Sequence, residues 1–246
     1  MARSIARKKN PFKIIIVLAI LIFVVMGLLL SPLFRITQID ILGNDMVSNS
    51  EILRESELFL GSNMFIFSAS SAAQNIAALP YIGSVTITRH LPDRVVIAVQ
   101  EREPAANIRL GASTYILIDT TGVVLDAGHS PSFGLPRVVG LDFNSFSIGQ
   151  ALQVEQEGAF DDLLALSRIF AEFDFIPDVI DFSGPRNVVL LYRNFTIDFG
   201  SVHDARHKLS FLIESINKLV AEKGLTTGFI DARDPSSGQI IFRLTR

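Results

Sequence analysis

The sequence predicts an α+β protein: a single N-terminal transmembrane helix, then a β-α-α-β-β unit, then a mixed α/β unit with a mainly antiparallel sheet. Three observations predict it. Residues 14–30 read IIIVLAILIFVVMGLLL, and Ser31-Pro32-Leu33-Phe34 extends the uncharged run to twenty-one residues. At ~1.5 Å per residue that run is ~31 Å long, close to the ~30 Å hydrocarbon core of a bilayer. From Phe34 to Glu103, period-2 and helical patterns alternate in a compact order, and after Pro104 short strands are interleaved with two longer amphipathic helices.

Arg3, Arg7, Lys8, Lys9 and Lys13 crowd the tail before the apolar run, and only Arg35 follows closely. The positive-inside rule then puts residues 1–13 in the cytoplasm and residues 35–246 outside it. A cleaved signal peptide is the competing reading. Its apolar region would be shorter and end in small residues, and Leu28 to Phe34 offers no such cleavage site. The expectation is an uncleaved single-pass helix over 14–34.

The elements follow in order. Phe34, Ile36, Ile39 and Ile41 make an imperfectly alternating strand ending at the turn Gly43-Asn44. Ser48-Asn49-Ser50-Glu51 is a capping box for a short helix carrying Ile52, Leu53 and Leu58, which Gly61 ends. Ser68 or Ser70 caps a second helix with Ala72, Ile76 and Leu79 on one face, stopped by Pro80. Val85 and Ile87, then Val95, Ile97 and Val99, alternate in two strands joined by Leu91-Pro92-Asp93. A sheet with two helices on one face can bury a core at this size. Glu103-Pro104 leaves little slack, so the boundary between residues 35–103 and 104–246 reads as a hinge.

In the second unit, residues 108–110, 115–119 and 123–126 are short strands, with Asp119-Thr120-Thr121-Gly122 as a hairpin turn. Residues 127–150, rich in Gly, Pro and Ser, read as a surface loop. Residues 155–173 form an amphipathic helix with Phe160, Leu163, Leu166, Ile169, Phe170 and Phe173 inward. Residues 188–192 and 195–199 form a hairpin across Arg193-Asn194. Ser201 caps a helix whose Ala205, Leu209, Leu212, Ile213, Ile216 and Val220 keep helical spacing, and Gly224 ends it. Residues 229–231 and 239–244 close a final hairpin around Pro235-Ser236-Ser237-Gly238.

Composition excludes several classes. Of 22 basic residues five lie in the tail, leaving 17 against 25 acidic ones, so the outer part carries about −8. No basic patch points to nucleic acid. There are no cysteines, which removes thiol catalysis, cysteine metal sites and disulfide staples. His203 and His207 have two-ligand metal spacing, but the Glu of HExxH is missing, and a solvated helix face accounts for them. His90 and His129 have no partners legible in the sequence. Eight carboxylates between Glu155 and Asp181, against the single Arg168, read as a solvated face rather than an acid/base pair. Gly-x-Ser-x-Gly, Walker A and Rossmann patterns are absent, and the Asn194-Phe195-Thr196 sequon matters only in a eukaryotic secretory route. No catalytic residue, metal or cofactor is expected.

A tethered body without a catalytic constellation reads as a binding module. The best physical candidate is the last strand, Gln239-Ile240-Ile241-Phe242-Arg243-Leu244. Ile240, Phe242 and Leu244 can face the core, with Gln239, Ile241 and Arg243 facing the other way. A terminal strand at a sheet edge offers free N–H and C=O groups to a partner.

Phe34-Arg35-Ile36 to Gly43-Asn44, Ser50-Glu51-Ile52, Gly61-Ser62-Asn63-Met64-Phe65, Leu79-Pro80-Tyr81-Ile82, Leu91-Pro92 and Val99-Gln100-Glu101-Arg102-Glu103-Pro104 resemble the POTRA module of the FtsQ/DivIB bacterial division proteins. Phe199-Gly200-Ser201 with Lys208-Leu209, and Ile230-Asp231-Ala232-Arg233, resemble that family's C-terminal β domain. The resemblance covers almost the whole chain. It implies a POTRA domain over 35–103, a β domain over 104–246, and a non-enzymatic divisome scaffold at the septum in the inner (plasma) membrane. It implies FtsB/DivIC-like and FtsL-like bitopic partners, and other divisome proteins met through the POTRA domain, with regulation of septal peptidoglycan synthesis as the outcome. The family's partner surface maps to Asp231, Arg233 and Gly238, Gln239, Ile240, Ile241, Phe242, Arg243 and Leu244. Members often carry an aromatic residue after the arginine, where this chain has Asp234. A membrane-anchored cell-wall enzyme would need a pocket of converging polar groups, which the sequence does not display. A POTRA-type transport or secretion component would need a long β-barrel, for which the residues after Glu103 are too few and too helical.

Overall fold

A computed structural model describes residues 11–111, 113–143, 145–184, 187–234 and 241–243. Helix α1 spans Pro11–Leu29, followed by a 3-10 turn at Pro32–Phe34. Its Phe12–Leu29 stretch has a mean hydropathy of 3.1 and buries none of itself in the protein. By length and composition it can cross a membrane, the only such helix among the described residues. The chain divides into two compact units, one comprising residues 1–78 and 82–101, the other residues 79–81 and 102–246.

The first unit contains β1 (Gln38–Leu42), α2 (Asn49–Ser56), α3 (Ala69–Ala77), β2 (Ile82–His90) and β3 (Arg94–Glu101). This is the expected β-α-α-β-β order. The sheet runs β1-β3-β2, with β1 parallel and β2 antiparallel to the central β3. Val95, Ile97 and Val99 point alternately into a core with Ile52, Ala72, Ile76, Ile82 and Met64. Both helix starts match their sequence signals. Ser48 Oγ accepts from Glu51 N–H, and Ser68, not Ser70, caps α3 by accepting from Ser71 N–H. The end of α2 does not match: the left-handed residue is Glu57 (φ 54°), four residues before Gly61, which instead turns the following loop. Glu101 holds the β1–α2 connection, its two carboxylate oxygens accepting from Met46 and Val47 N–H at 2.8 Å each. Glu101→Ala is expected to lower the stability of this unit by about 1–3 kcal/mol, because two amides lose a charged acceptor. Faster hydrogen exchange of the β1 and β3 amides, with Glu101→Gln less affected, would check it.

The second unit contains β4 (Pro104–Leu110), β5 (Thr114–Asp119), β6 (Val124–Gly128), β7 (Arg137–Val139), α4 (Glu157–Glu172), β8 (Val179–Gly184), β9 (Asn187–Tyr192), β10 (Phe195–Gly200), α5 (Ala205–Lys223), β11 (Gly228–Asp231) and β12 (Ile241–Arg243). One sheet holds all nine strands in the order β12-β11-β10-β9-β8-β7-β4-β5-β6. Neighbours are mainly antiparallel, and the parallel pairs are β10/β11, β7/β8 and β4/β7. The first two of these are joined through α5 and α4, the crossover that parallel pairing requires. Leu163, Leu166 and Phe170 of α4 and Leu209, Leu212 and Ile216 of α5 share the core with Ile116, Ile118, Phe195 and Phe199.

Three expectations are corrected here. Residues 127–150 are not all loop: β7 lies in mid-sheet, paired on both sides, and Leu141 and Phe143 are buried. Strand β8 went unread because Asp178 and Asp181 interrupt its apolar residues. Helix α5 starts at Ala205 behind Asp204, which is left-handed (φ 54°) and makes no side-chain cap bond, so Ser201 is not its cap. Gly224 does close it, in the left-handed conformation (φ 65°).

Candidate partner-binding edge

Strand β12 lies at the end of the nine-strand order. It pairs antiparallel with β11 in the register Phe229↔Arg243, Ile230↔Phe242, Asp231↔Ile241. Among the described strands none pairs with its other side, and a strand at a sheet edge is where a partner strand can add. Phe242 is half-buried and packs against the core, as the alternation predicts. Of the nine residues singled out, Gly238, Gln239, Ile240 and Leu244 lie outside the described residues, and Ile241 and Arg243 are described by their backbone alone.

Asp231 and Arg233 form a built feature beside this edge. Arg233 donates from Nε (2.9 Å) and Nη2 (2.5 Å) to the Asp231 carboxylate, and its backbone N–H donates to the same group. Asp198 of β10 lies 3.4 Å from Arg233 Nε. The Asp231 hydrogen bond, then the charges of Asp231 and Asp198, hold the guanidinium even more firmly protonated than usual. Its stem lies flat over Gly200 (φ 71°), where a Cβ would come within 2.9 Å of Arg233 Cγ. Asp198 and Gly200 were not singled out as site residues, because their nearness to Arg233 arises only when β10 and β11 pair.

Lys208 had a sequence context but no role. Its side chain is buried, and Nζ donates to the carbonyls of Phe199 (3.2 Å) and Ser201 (3.0 Å). Burial lowers its pKa, against which the charges of Asp204, Asp234 and Asp198 work. The lysine thus closes the end of β10 around Gly200.

His203 precedes α5 rather than lying on it, so His203 and His207 do not share a helical face; both are exposed. Among the described residues no cluster of three His, Asp or Glu side chains could hold a metal ion. An open cleft of about 1000 Å³ lies in this unit, lined by Asp142, Asp162, Ser183, Asn187, Ser201 and His203 among others. Burial, then Asp161, raises the Asp162 pKa. His203 meets Asp204 at 3.2 Å, and among the described residues no hydrogen bond links it to Ser183 or Ser201. Among the described residues this cleft shows no Ser–His hydrogen bond of the kind covalent catalysis uses.

Residues 34–102 match the family model described as "POTRA domain, FtsQ-type". The chain is 27% identical over 229 residues to a cell division protein DivIB of Clostridium botulinum (strain Hall), covering 92% of this chain and 89% of that one. A DivIB of Clostridium acetobutylicum is 26% identical over 204 residues, 81% of this chain and 80% of its own. A cell division protein FtsQ of Corynebacterium glutamicum is 29% identical over 136 residues, 54% of this chain and 60% of its own. The chain is similar to the FtsQ/DivIB cell-division proteins over most of its length. Within that family frame, the first unit is an FtsQ-type POTRA fold, and the strand edge with its Asp198–Arg233–Asp231 cluster belongs to the second unit.

Proposed function

We propose that this FtsQ/DivIB-like protein is a non-enzymatic bitopic scaffold of the divisome. Helix α1 anchors it in the cell membrane at the septum, with residues 1–13 in the cytoplasm. The POTRA domain (35–103) and β domain (104–246) stand outside. The β domain binds FtsB/DivIC-like and FtsL-like partners and so recruits and regulates septal peptidoglycan synthesis, while the POTRA domain meets other divisome proteins. The single observation that supports this most is the outer side of β12: a partner strand can add there through main-chain hydrogen bonds, with Arg233, Asp231 and residues 238–244 as its contacts. Anchoring both partners in one membrane confines them to two dimensions and raises their effective concentration.

Ile241→Pro removes one N–H and obstructs strand pairing, so partner affinity is expected to fall about tenfold or more, at least ~1.4 kcal/mol. The test is calorimetric titration of the full chain in lipid nanodiscs with the FtsB/DivIC-like ectodomain of the same organism. Unchanged affinity in a variant whose β10 and β11 amides keep their exchange protection would sink strand addition.

A further inference from the structure

The POTRA unit exposes an unusual set of large apolar side chains at one end. Leu33, Phe59, Leu60, Phe65 and Ile66 are 42–70% exposed, and Leu91 is 63% exposed. They form one end of the unit because residues 34–36 run alongside 61–64. Met64 N–H donates to Phe34 O, Ile36 N–H to Ser62 O, and Gly61 N–H to Ile36 O, all at 2.8–2.9 Å. The turn holding Leu91 joins them, since Thr37 N–H donates to Asp93 O at 2.9 Å. An apolar concentration of this kind on a small domain marks an interaction surface.

Its position decides what covers it. Asn63 Nδ2 donates to Leu29 O, the last residue of α1, at 2.8 Å, and the Phe65 ring meets Phe34 edge-on with centroids 5.0 Å apart. The 59–66 loop is thus tied to the helix terminus by side chain and backbone, and cannot leave the depth of that terminus without breaking those bonds. Cations flank the apolar set as they do at a membrane–water boundary. Arg35 is exposed directly after the helix, and Arg89 sits over the Phe67 ring at 4.4 Å while donating to Phe67 O.

We propose that the 59–66 loop, with Leu33 and Leu91, is inserted in the lipid interface at the C-terminal end of α1, so that the POTRA unit is docked on the bilayer rather than swinging above it. This rests on the reading of α1 as a membrane anchor. Apolar side chains enter the acyl boundary, and Arg35 and Arg89 reach the phosphate level. The partner is the lipid itself, because the patch is continuous with the span.

The chain has no tryptophan, so single introduced indoles report alone. Three full-length variants are reconstituted in phosphatidylcholine–phosphatidylglycerol vesicles, with or without bromine high on the acyl chains. Phe23→Trp lies mid-helix and is 83% exposed; Ile66→Trp lies in the loop; Met46→Trp is 61% exposed beyond the far end of β1. That strand's five residues carry position 46 roughly 17 Å or more away from the loop end. The expected result is blue-shifted emission and strong bromine quenching at 23 and 66, and neither at 46. Quenching at 23 without quenching at 66 would overturn the docking and leave the anchor standing, freeing the patch for a protein partner. No quenching at 23 would overturn the anchor and the docking with it. Quenching at all three positions would also overturn the proposal, since the indole or an unfolded chain would then be adsorbing indiscriminately.

Discussion

Gly43→Ala is expected to destabilise the POTRA unit by about 3–5 kcal/mol, enough to unfold a unit of this size. Gly43 sits at φ +86°, and a Cβ there would lie 2.1 Å from the Val99 carbonyl oxygen. Val99 is backbone of β3, the central strand, so no side-chain rotation relieves the clash; the sheet itself must part. Gly61 is the control. It has almost the same φ (+89°) and nothing within 4 Å, so Gly61→Ala carries conformational strain alone, about 1 kcal/mol. Gly140→Ala is the counterpart in the β domain, where a Cβ would meet Ser183 N at 2.2 Å and separate β7 from β8. Hydrogen exchange separates the effects: Gly43→Ala should deprotect β1 to β3, and Gly140→Ala the strands of the second unit. Equal losses in Gly43→Ala and Gly61→Ala would refute close approach as the reason for glycine.

Asp119→Ala is expected to cost the β domain about 3–5 kcal/mol, the usual loss when one member of a buried charged pair is removed. The carboxylate is buried and receives Arg102 Nη1 at 2.8 Å. It also accepts from Thr121 N–H, Thr121 Oγ1 and Val123 N–H, closing the β5–β6 turn. Removal leaves a half-buried guanidinium and two amides without acceptors. Burial alone would raise the Asp119 pKa, but the bonds from Thr121, Val123 and Arg102 outweigh it and leave the group below its ordinary 3.8. A depressed folded value means the unfolded chain binds the proton more tightly. The stabilisation is therefore present in full above about pH 4 and is lost as pH falls through the folded value. Acid unfolding monitored at Tyr115 or β5 amides should show this drop in the wild type. The drop should shrink in Asp119→Asn, which keeps the shape but not the charge.

The candidate site was only partly legible. The last strand stood out because Ile240, Phe242 and Leu244 alternate with Gln239, Ile241 and Arg243 and follow the turn signal Pro-Ser-Ser-Gly. Its place at a sheet edge is a fact of strand order. The partners that keep Arg233 in place could not be read, since Asp198 and Gly200 stand more than thirty residues away. Lys208 falls at a polar position of an amphipathic helix; it is buried where Phe199 and Ser201 present carbonyls to its Nζ.

Local rules decided what the sequence determined by itself. Twenty-one uncharged residues behind five cations mark a helix long and apolar enough to cross a membrane, Ser48 and Ser68 start the POTRA helices, Gly224 ends α5, and the alternation of Val95, Ile97 and Val99 identifies a half-buried strand. Each signal acts within a few residues, where hydrogen-bond capping and side-chain period work. The tertiary structure alone decided what depends on neighbours distant in the chain. It turned Arg137-Val138-Val139 from apparent loop into a mid-sheet strand, since three residues show no period and gain their hydrogen bonds only from β4 and β8. It set the Asp198–Arg233–Asp231 cluster, and it tied the 59–66 loop to the end of α1. Pairing register and long-range burial select these arrangements, and neither is written in any local window of the chain.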